Sequence, residues 1–192
     1  MRTDFKHKTD LNQLYEDIIK TTHIVDVPYN KEIIWKVLNT FQDFFSGSSV
    51  AFKTTTKPKE KRGLNVRYVE LGVPHDPYVI ALSAGLITKR GHPIDDLLPE
   101  IQSQFPIHGY GVDFEVSYGL EKIWPLFPHA PQPIERVYSL FSVPDSIRNY
   151  VDYFARHDLA FVNILGLDYR HKTINVYFPM ERPGALRPCP RS

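Results

Sequence analysis

The sequence contains almost no cysteine, since Cys189 is the single one among 192 residues. One cysteine excludes a disulfide within the chain and a cysteine-ligated metal cluster, which favours a reducing compartment. The sequence also has no apolar run long enough to span a bilayer, and its first residues, MRTDFKHKTD, lack the apolar core of a signal peptide. We therefore expect a cytoplasmic protein with no membrane partner.

Neither sign of charge is in excess, because 23 basic residues balance 22 acidic ones and leave a net charge of +1. A surface that binds nucleic acid in general needs a basic excess, so nucleic acid is not an expected partner. Any positively charged site must therefore be local. A hydrophobic share of 42% with 23% charged residues is typical of a folded chain that buries one substantial core.

Residues that commonly begin helices stand before several amphipathic stretches. Asp10 precedes apolar residues at spacings of three and four, namely Leu11, Leu14, Tyr15, Ile18 and Ile19. Asn30 precedes a second such set, namely Ile33, Ile34, Val37, Leu38 and Phe41. Asp76 followed by Pro77 predicts the start of a third helix, and Gly91-His92-Pro93 predicts the start of a fourth.

Two helices followed by two strands recur three times along the chain. Further helices are predicted near 134–140 and over 144–157. The predicted strands cover residues 49–55, 64–71, 109–117, 120–127, 160–167 and 173–178. Repetition at this period indicates an α+β fold of ααββ units, in which antiparallel hairpins carry helices on the outside.

The stretch GLEKIWPLFP, residues 119–128, places a lysine and a tryptophan on one face of a predicted strand. Alternation puts Lys122 and Trp124 on the same side as Leu120 and Leu126, and it puts Glu121, Ile123 and Pro125 on the other side. A lysine can hold an anionic leaving group, and an indole face can stabilise the positive charge left behind. The alternative is an amphipathic strand with a solvated lysine.

Six segments carry a resemblance to a known family, in order and over nearly the whole chain. They are TFQDF (40–44), HDPY (75–78), GHPIDDLL (91–98), EKIWPLFP (121–128), YFARHDL (153–159) and LDYRHKTINVYF (167–178). The sequence resembles the ABBA aromatic prenyltransferases, the soluble phenol and naphthol prenyltransferases of bacterial and fungal secondary metabolism. The resemblance implies a closed antiparallel barrel of ten strands inside a ring of helices, built from five ααββ units.

The resemblance also implies a reaction and its two substrates. A prenyl diphosphate, such as dimethylallyl or geranyl diphosphate, ionises to an allylic cation. An electron-rich aromatic acceptor, a phenol or dihydroxynaphthalene, then attacks the cation in a Friedel-Crafts alkylation. Such a site must bind diphosphate, exclude water from the cation and orient the acceptor.

Lys122 matches the family's diphosphate-binding lysine, and Trp124 matches an aromatic residue beside the reacting groups, although core packing is an equal alternative for the tryptophan. Arg67 stands where magnesium-dependent members have an aspartate. An arginine cannot ligate Mg²⁺ but can neutralise diphosphate directly, so the expected enzyme needs no metal and no other cofactor. Lys53, across the hairpin, is either a further diphosphate ligand or a solvated lysine.

The last predicted strand supplies the remaining candidates. Alternation puts Asn175 and Tyr177 on one face with His171 and Thr173, and the resemblance places Asn175 and Tyr177 at diphosphate and prenyl contacts. His171 falls where the family often has a lysine, which leaves a weaker and pH-dependent cation there. Ile164 matches a prenyl-contacting position. Two weaker candidates accept the proton of the arenium intermediate, in competition with water: Asp113 and Glu115.

Three of the five units are predicted over residues 1–178, and the proline-rich residues 179–192 read as an irregular tail. An open or incomplete barrel would leave the site wet and two strand edges unpaired. We therefore expect weak or absent activity from this chain alone, with self-association through the edges. The alternative functions are an inactive fragment and a non-catalytic binder of aromatic or isoprenoid ligands. A nucleic-acid binder is disfavoured by the charge balance.

Overall fold

The computed structural model describes residues 10–45, 48–72 and 75–179. The helices in these ranges are α1 (Leu11–Val25), α2 (Lys31–Thr40), α3 (Gln42–Phe45), α4 (Pro77–Ser83), α5 (Ile94–Gln104), α6 (Ile134–Tyr138), α7 (Asp145–Arg148) and α8 (Val151–Arg156). The strands are β1 (Ser49–Thr54), β2 (Leu64–Leu71), β3 (Gly109–Glu115), β4 (Gly119–Leu126), β5 (Gln132–Pro133), β6 (Phe161–Val162), β7 (Ile164–Asp168) and β8 (Thr173–Tyr177). Of the predicted tail, residues 180–192 lie outside the described residues.

Six strands form one antiparallel sheet in the order β1-β2-β3-β4-β7-β8. Within the described ranges the sheet does not close on itself, so β1 and β8 are its two edges. The predicted α+β class and the predicted antiparallel hairpins are confirmed. No helix in this part of the chain combines the length and the apolar character needed to cross a membrane.

The predicted helix starts are confirmed by their hydrogen bonds. The carboxylate of Asp10 accepts from two backbone N–H groups in the first turn of α1, and the side chain of Asn30 does the same for α2. Asp76 caps α4, where Pro77 is the first helical residue. These side chains satisfy donors that a helix leaves unpaired at its start, which is why the sequence could locate them.

The core lies between the helices and one face of the sheet. Every second residue of β2 points into it, so Leu64, Val66 and Tyr68 are buried while Asn65 and Arg67 are only partly covered. The same layer takes Val112 and Phe114 from β3. The opposite face of the sheet is therefore free of the helices, and it is the face that carries the charged residues of interest.

Two predicted elements are each divided in the structure. The helix expected over 144–157 is interrupted at Asn149 and Tyr150, and it forms α7 and α8. The strand expected over 160–167 forms β6, which pairs with β5 in a separate two-stranded sheet, and then β7, which joins the main sheet. Asn163 makes this change of partner, because its backbone N–H donates to the carbonyl of Tyr177 and its own carbonyl accepts from Phe127.

The hydroxyl of Tyr68 provides a test of the core. The ring is fully buried, and within the described residues the hydroxyl has no hydrogen-bond partner. Burial, and then the charge of Glu70, raise the pKa of Tyr68 well above its ordinary value. Because Tyr68→Phe removes a desolvated group that makes no bond, we expect it to raise the free energy of unfolding by about 1 kcal/mol.

Denaturant unfolding followed by circular dichroism measures this change. The control is Tyr78→Phe, because the hydroxyl of Tyr78 donates to the backbone carbonyl of Asp95. That substitution should instead lower the free energy of unfolding by about 1 kcal/mol. Equal losses of stability in both variants would show that the Tyr68 hydroxyl is satisfied in solution.

Candidate functional site

The face of the sheet that points away from the helices is the inner face. It carries residues that alternate with the core residues along each strand. Its members are Lys53, Asn65, Arg67, Val69, Gly111, Asp113, Lys122, Trp124, Leu126, Ile164, Gly166, Asp168, Thr173, Asn175 and Tyr177. The structure therefore brings the predicted site residues of all six strands to one surface.

Four residues of opposite and alternating charge form a row across the middle of this face. Arg67 of β2 lies opposite Asp113 of β3, which lies opposite Lys122 of β4, which lies opposite Asp168 of β7. An Arg67 Nη2–Asp113 Oδ2 distance of 2.7 Å and a Lys122 Nζ–Asp168 Oδ2 distance of 3.3 Å join them in pairs. We call these four residues the charge row.

Lys122 is held between two carboxylates. Its ammonium lies 3.2 Å from Glu121 Oε1 as well as 3.3 Å from Asp168 Oδ2. Burial favours the neutral amine, but the charges of Asp168 and Glu121 outweigh it and raise the pKa of Lys122 above its ordinary value. The other carboxylate oxygen of Glu121 accepts from Asn65 Nδ2 at 2.8 Å. Lys122 is thus a fixed cation and not a freely solvated one.

A β-bulge corrects the predicted faces at the start of β4. Asp113 pairs with Lys122, but Phe114 pairs with Leu120, so Glu121 is an extra residue with no partner of its own on β3. Leu120 consequently joins Phe114 in the core and not the lysine face, and Glu121 contacts the inner face and not the helices. The predicted positions of these two residues were wrong, because regular alternation fails at a bulge.

Trp124 is enclosed by two other predicted site residues. The guanidinium carbon of Arg67 lies 3.6 Å from the centroid of the indole, and the ring of Tyr177 stacks on it at 5.4 Å with planes 28° apart. The indole is 7% exposed, and its Nε1 has no hydrogen-bond partner among the described residues. Gly111 lies opposite Trp124, and a Cβ there would make an ordinary contact of 3.4 Å with Trp124 Cβ.

Asp113 is a deeply buried acid of the charge row. The residue is 2% exposed, and its Oδ1 is buried without a hydrogen-bond partner in the described part of the chain. Burial raises the pKa of Asp113 although the neighbouring Arg67 opposes that rise. Burial likewise raises the pKa of Glu115, against hydrogen bonds from Ser117. Neither carboxylate is positioned as an exposed base.

The remaining predicted residues lie along β7, β8 and the edge strand β1. Asn175 and Tyr177 are exposed on β8, and Ile164 lies opposite Tyr177 at the apolar end of the inner face. His171 lies in the turn before β8, with Nδ1 3.0 Å from Asp168 Oδ2, so it supports that acid and does not alternate with the strand residues. Lys53 is exposed opposite Asn65, and it forms no ion pair with any described residue.

Sequence reasoning did not find Glu121, Asp168 or Asn163. Asp168 organises the turn, because its Oδ1 accepts from the N–H groups of Arg170 and His171 while its Oδ2 faces Lys122. Asn163 keeps a buried Oδ1 without a partner in the described ranges. Only the register between β4 and β7 brings Asp168 to the lysine, and no local pattern in the sequence reports that register.

One group of side chains has the composition of a cation site. The ligand atoms of Glu121, Asp168 and His171 lie within 4.8 Å of one another. The ammonium of Lys122 already contacts both carboxylates and neutralises them. This donor set therefore fits the lysine better than it fits a divalent cation.

Comparison with known proteins adds the decisive observation. The family model described as aromatic prenyltransferase Orf2 matches residues 9–188. The chain belongs to this family of aromatic prenyltransferases. The match includes every strand of the inner face, so the charge row and the stacked indole lie within the part of the chain that defines the family.

Three similar curated proteins carry the names of prenyl-transferring enzymes. The chain is 38% identical over 173 residues to the furaquinocin biosynthesis prenyltransferase of Streptomyces sp. (strain KO-3988), which covers 88% of this chain and 55% of that protein. It is 32% identical over 181 residues to the 5,10-dihydrophenazine-1-carboxylate 9-dimethylallyltransferase of Streptomyces anulatus, and this alignment covers 93% of the chain and 60% of that protein. It is 33% identical over 171 residues to the flaviolin linalyltransferase of Streptomyces virginiae, and this alignment covers 88% of the chain and 57% of that protein.

The alignments cover only part of each of these three relatives. This chain spans between 55% and 60% of the length of these three prenyltransferases. The family match over residues 9–188 contains the six strands of the main sheet and the helices described above. What the whole prenyltransferases do is therefore a proposal for this chain.

Proposed function

We propose that the inner face transfers a prenyl group from an isoprenoid diphosphate to an electron-rich aromatic acceptor by Friedel-Crafts alkylation. The observation that carries the proposal is the convergence of two buried or half-buried cations, Arg67 and Lys122, beside the stacked rings of Trp124 and Tyr177. Cations suit a diphosphate leaving group, and aromatic faces suit an allylic cation.

The polarity of the inner face supports one orientation of the donor. Residues paired across neighbouring strands form rows on this face. The two rows nearest the start of β4 contain Lys53, Arg67 and Lys122, and the next row contains Asn175. The opposite end holds apolar side chains from three strands in one row: Leu71, Leu126 and Ile164. The diphosphate is then bound at the charged end, and the prenyl chain extends past Trp124 towards the apolar end.

The reaction exchanges a C–O bond of the donor for a C–C bond to the acceptor ring and releases a ring proton. The bond between the allylic carbon and the diphosphate oxygen breaks, and its electron pair leaves with the diphosphate. Lys122 and Arg67 hold that growing charge after exchanging their carboxylate partners for phosphate oxygens. The acceptor ring attacks the allylic carbon, and the arenium ion loses its proton to water, since Asp113 and Glu115 are buried.

The order of helices and strands supports the same function. We propose that the six-stranded sheet represents three ααββ units of a prenyltransferase-type barrel with its helices outside. In support, α1 and α2 precede β1 and β2, and α4 and α5 precede β3 and β4. The third unit has α6 to α8 before β7 and β8. Edges β1 and β8 are the places for further strands or for a second copy of the chain.

The function is tested with purified protein, dimethylallyl or geranyl diphosphate, and a panel of phenols and dihydroxynaphthalenes. Mass spectrometry should detect an acceptor that has gained one prenyl group. Binding of donor and acceptor by calorimetry without any product would favour the alternative of a non-catalytic binder. The single cysteine and the balanced charge also support a cytoplasmic setting without a nucleic-acid partner.

Prenyl transfer is expected to proceed in EDTA without added metal. By the resemblance Arg67 stands where magnesium-dependent members have an aspartate, and the ammonium of Lys122 neutralises the acids beside it. The measurement compares initial rates in EDTA, in EDTA with excess Mg²⁺, and in untreated buffer. Loss of activity on chelation that Mg²⁺ restores would refute this expectation.

A further inference from the structure

A second polar cavity lies on the other side of the sheet from the inner face. This cleft has a volume of about 350 Å³ and opens beside the turn from β3 to β4 and the turn from β7 to β8. The loop after α4 forms its remaining wall. Its lining includes Leu86, Arg90, Tyr118, Leu120, Arg170 and Lys172. We call it the rim cleft.

Positive charge predominates in the rim cleft. Its lining contains Arg90, Arg170 and Lys172, and none of the described residues that line it is acidic. Lys172 pairs with Asp95 at 2.8 Å behind the cleft. Among the described residues neither Arg90 nor Arg170 lies within ion-pair distance of a carboxylate, and Glu115 acts on Arg170 only from further away.

The cations of the rim cleft are held in place by contacts of two kinds. The guanidinium carbon of Arg170 lies 3.0 Å from the centroid of Tyr118, so the arginine rests on an aromatic ring. The carboxylate of Asp95 binds Lys172 through one oxygen and accepts from the backbone N–H groups of Arg90 and His92 through the other. Asp95 therefore ties the loop after α4 to the turn before β8.

The bulge in β4 separates this cleft from the inner face. Lys122 points to the inner face, whereas Leu120 points to the core side and lines the rim cleft. A ligand in the rim cleft is thus held by residues that take no part in the charge row. The two sites lie at the same end of the sheet but on opposite sides of it.

We propose that the rim cleft binds an oxyanion of the phosphate or diphosphate class. Two guanidinium groups without carboxylate partners offer paired N–H donors, which suit the oxygens of such an ion. Lys172 adds a third cation, and the apolar side chains of Leu86 and Leu120 form a floor for an attached hydrocarbon. The anion is either the free inorganic ion or the head group of an organic diphosphate.

The test is calorimetric titration of the purified 192-residue chain with inorganic diphosphate, without metal. The cleft variant is Arg90→Gln/Arg170→Gln, and Lys122→Ala reports on the inner face. The matched control is Lys89→Gln, because Lys89 is next to Arg90 but pairs with Asp96 outside the cleft. Thermal unfolding checks that each variant folds, and Arg170→Lys keeps the positive charge should the double variant unfold.

The wild-type chain should bind two diphosphate ions. The cleft variant should keep the affinity for one of them, and its affinity for the other should fall by about tenfold or more. The Lys89→Gln control should bind as the wild type does. Arg170→Lys should weaken the binding of the cleft ion less than the double variant does. If the double variant is unfolded, the comparison is with Arg170→Gln, which should weaken that binding more than Arg170→Lys. Unchanged binding of both ions by the cleft variant would overturn the proposal.

If the wild-type chain binds only one diphosphate ion, the variants show whether the rim cleft or the inner face holds it. One ion that is lost in the cleft variant and retained in Lys122→Ala supports the rim cleft and removes the inner face as a diphosphate site. One ion lost only in Lys122→Ala overturns the rim cleft. Repeating the titration with an unreactive prenyl thiolodiphosphate identifies the source: equal weakening of both probes assigns the shared diphosphate group, and weakening of the inorganic ion alone assigns the free product.

Discussion

Replacing Lys122 with alanine is expected to weaken the binding of a prenyl diphosphate between about tenfold and more than a hundredfold, since a charge-assisted contact is worth roughly 1.5–3 kcal/mol. The loss should lie at the upper end of this range. The substitution leaves the acids of Asp168 and Glu121, whose side chains are 3% and 12% exposed, without their cation. These carboxylates would then repel the diphosphate.

Calorimetry with an unreactive donor analogue measures the affinity, and the transfer rate is measured in parallel. Lys20→Ala is the matched control, because Lys20 is exposed on α1 and far in sequence from the charge row. Adding Asp168→Asn to Lys122→Ala should restore part of the affinity, because it removes one repulsive charge. An unaltered titration curve for Lys122→Ala would show that this lysine does not contact the donor.

Replacing Gly109 with alanine should have the largest effect on stability. A Cβ at this position would lie 2.5 Å from the carbonyl oxygen of Glu70 and 2.9 Å from Leu71 Cδ2. The first of these atoms belongs to the backbone of β2, so relief requires that β2 and β3 move apart. We expect the free energy of unfolding to fall by about 1–3 kcal/mol, as for other overpacked sites.

Gly111→Ala is the matched control for this prediction, because it makes the same substitution two residues further along β3. A Cβ there would lie 3.4 Å from Trp124 Cβ and 3.6 Å from Val69 Cγ2, which are ordinary contacts. Its effect on stability should stay below about 1 kcal/mol. Guanidinium unfolding of both variants gives the comparison, and an equal loss in the two would mean that β3 is free to shift at Gly109.

The parts of the fold that could be predicted from the sequence are those that local chemistry determines. A side chain that accepts from backbone N–H groups, such as Asp10, marks a helix start without reference to the rest of the molecule. The bounds of β2 also follow from local alternation, because its residues face a core on one side only. Asn163 is different, since the backbone changes partner there for tertiary reasons.

The candidate site was only half visible in the sequence for a similar reason. Its cations stood out because a charged residue inside an apolar strand is unusual, as with Arg67 and Lys122. The ion pairs of these cations were not visible, because Asp113 and Asp168 come from other strands and their pairing depends on register. Asp113 was expected only as a weak proton acceptor. The resemblance placed Arg67 and Lys122 among the expected diphosphate ligands, and the structure shows each of them in an ion pair with an acid of a neighbouring strand.

The bulge at Glu121 has a consequence for insertions and deletions among relatives. Because Glu121 has no partner on β3, a chain without this residue could pair its Leu120 and Lys122 equivalents in regular alternation, and neither would change faces. Loss of a single residue between Lys122 and Leu126 would instead shift the alternation by one, so that a charged or aromatic side chain of the inner face would point into the hydrophobic core. Alignment gaps in this strand therefore preserve the chemistry of the inner face only when they fall at Glu121.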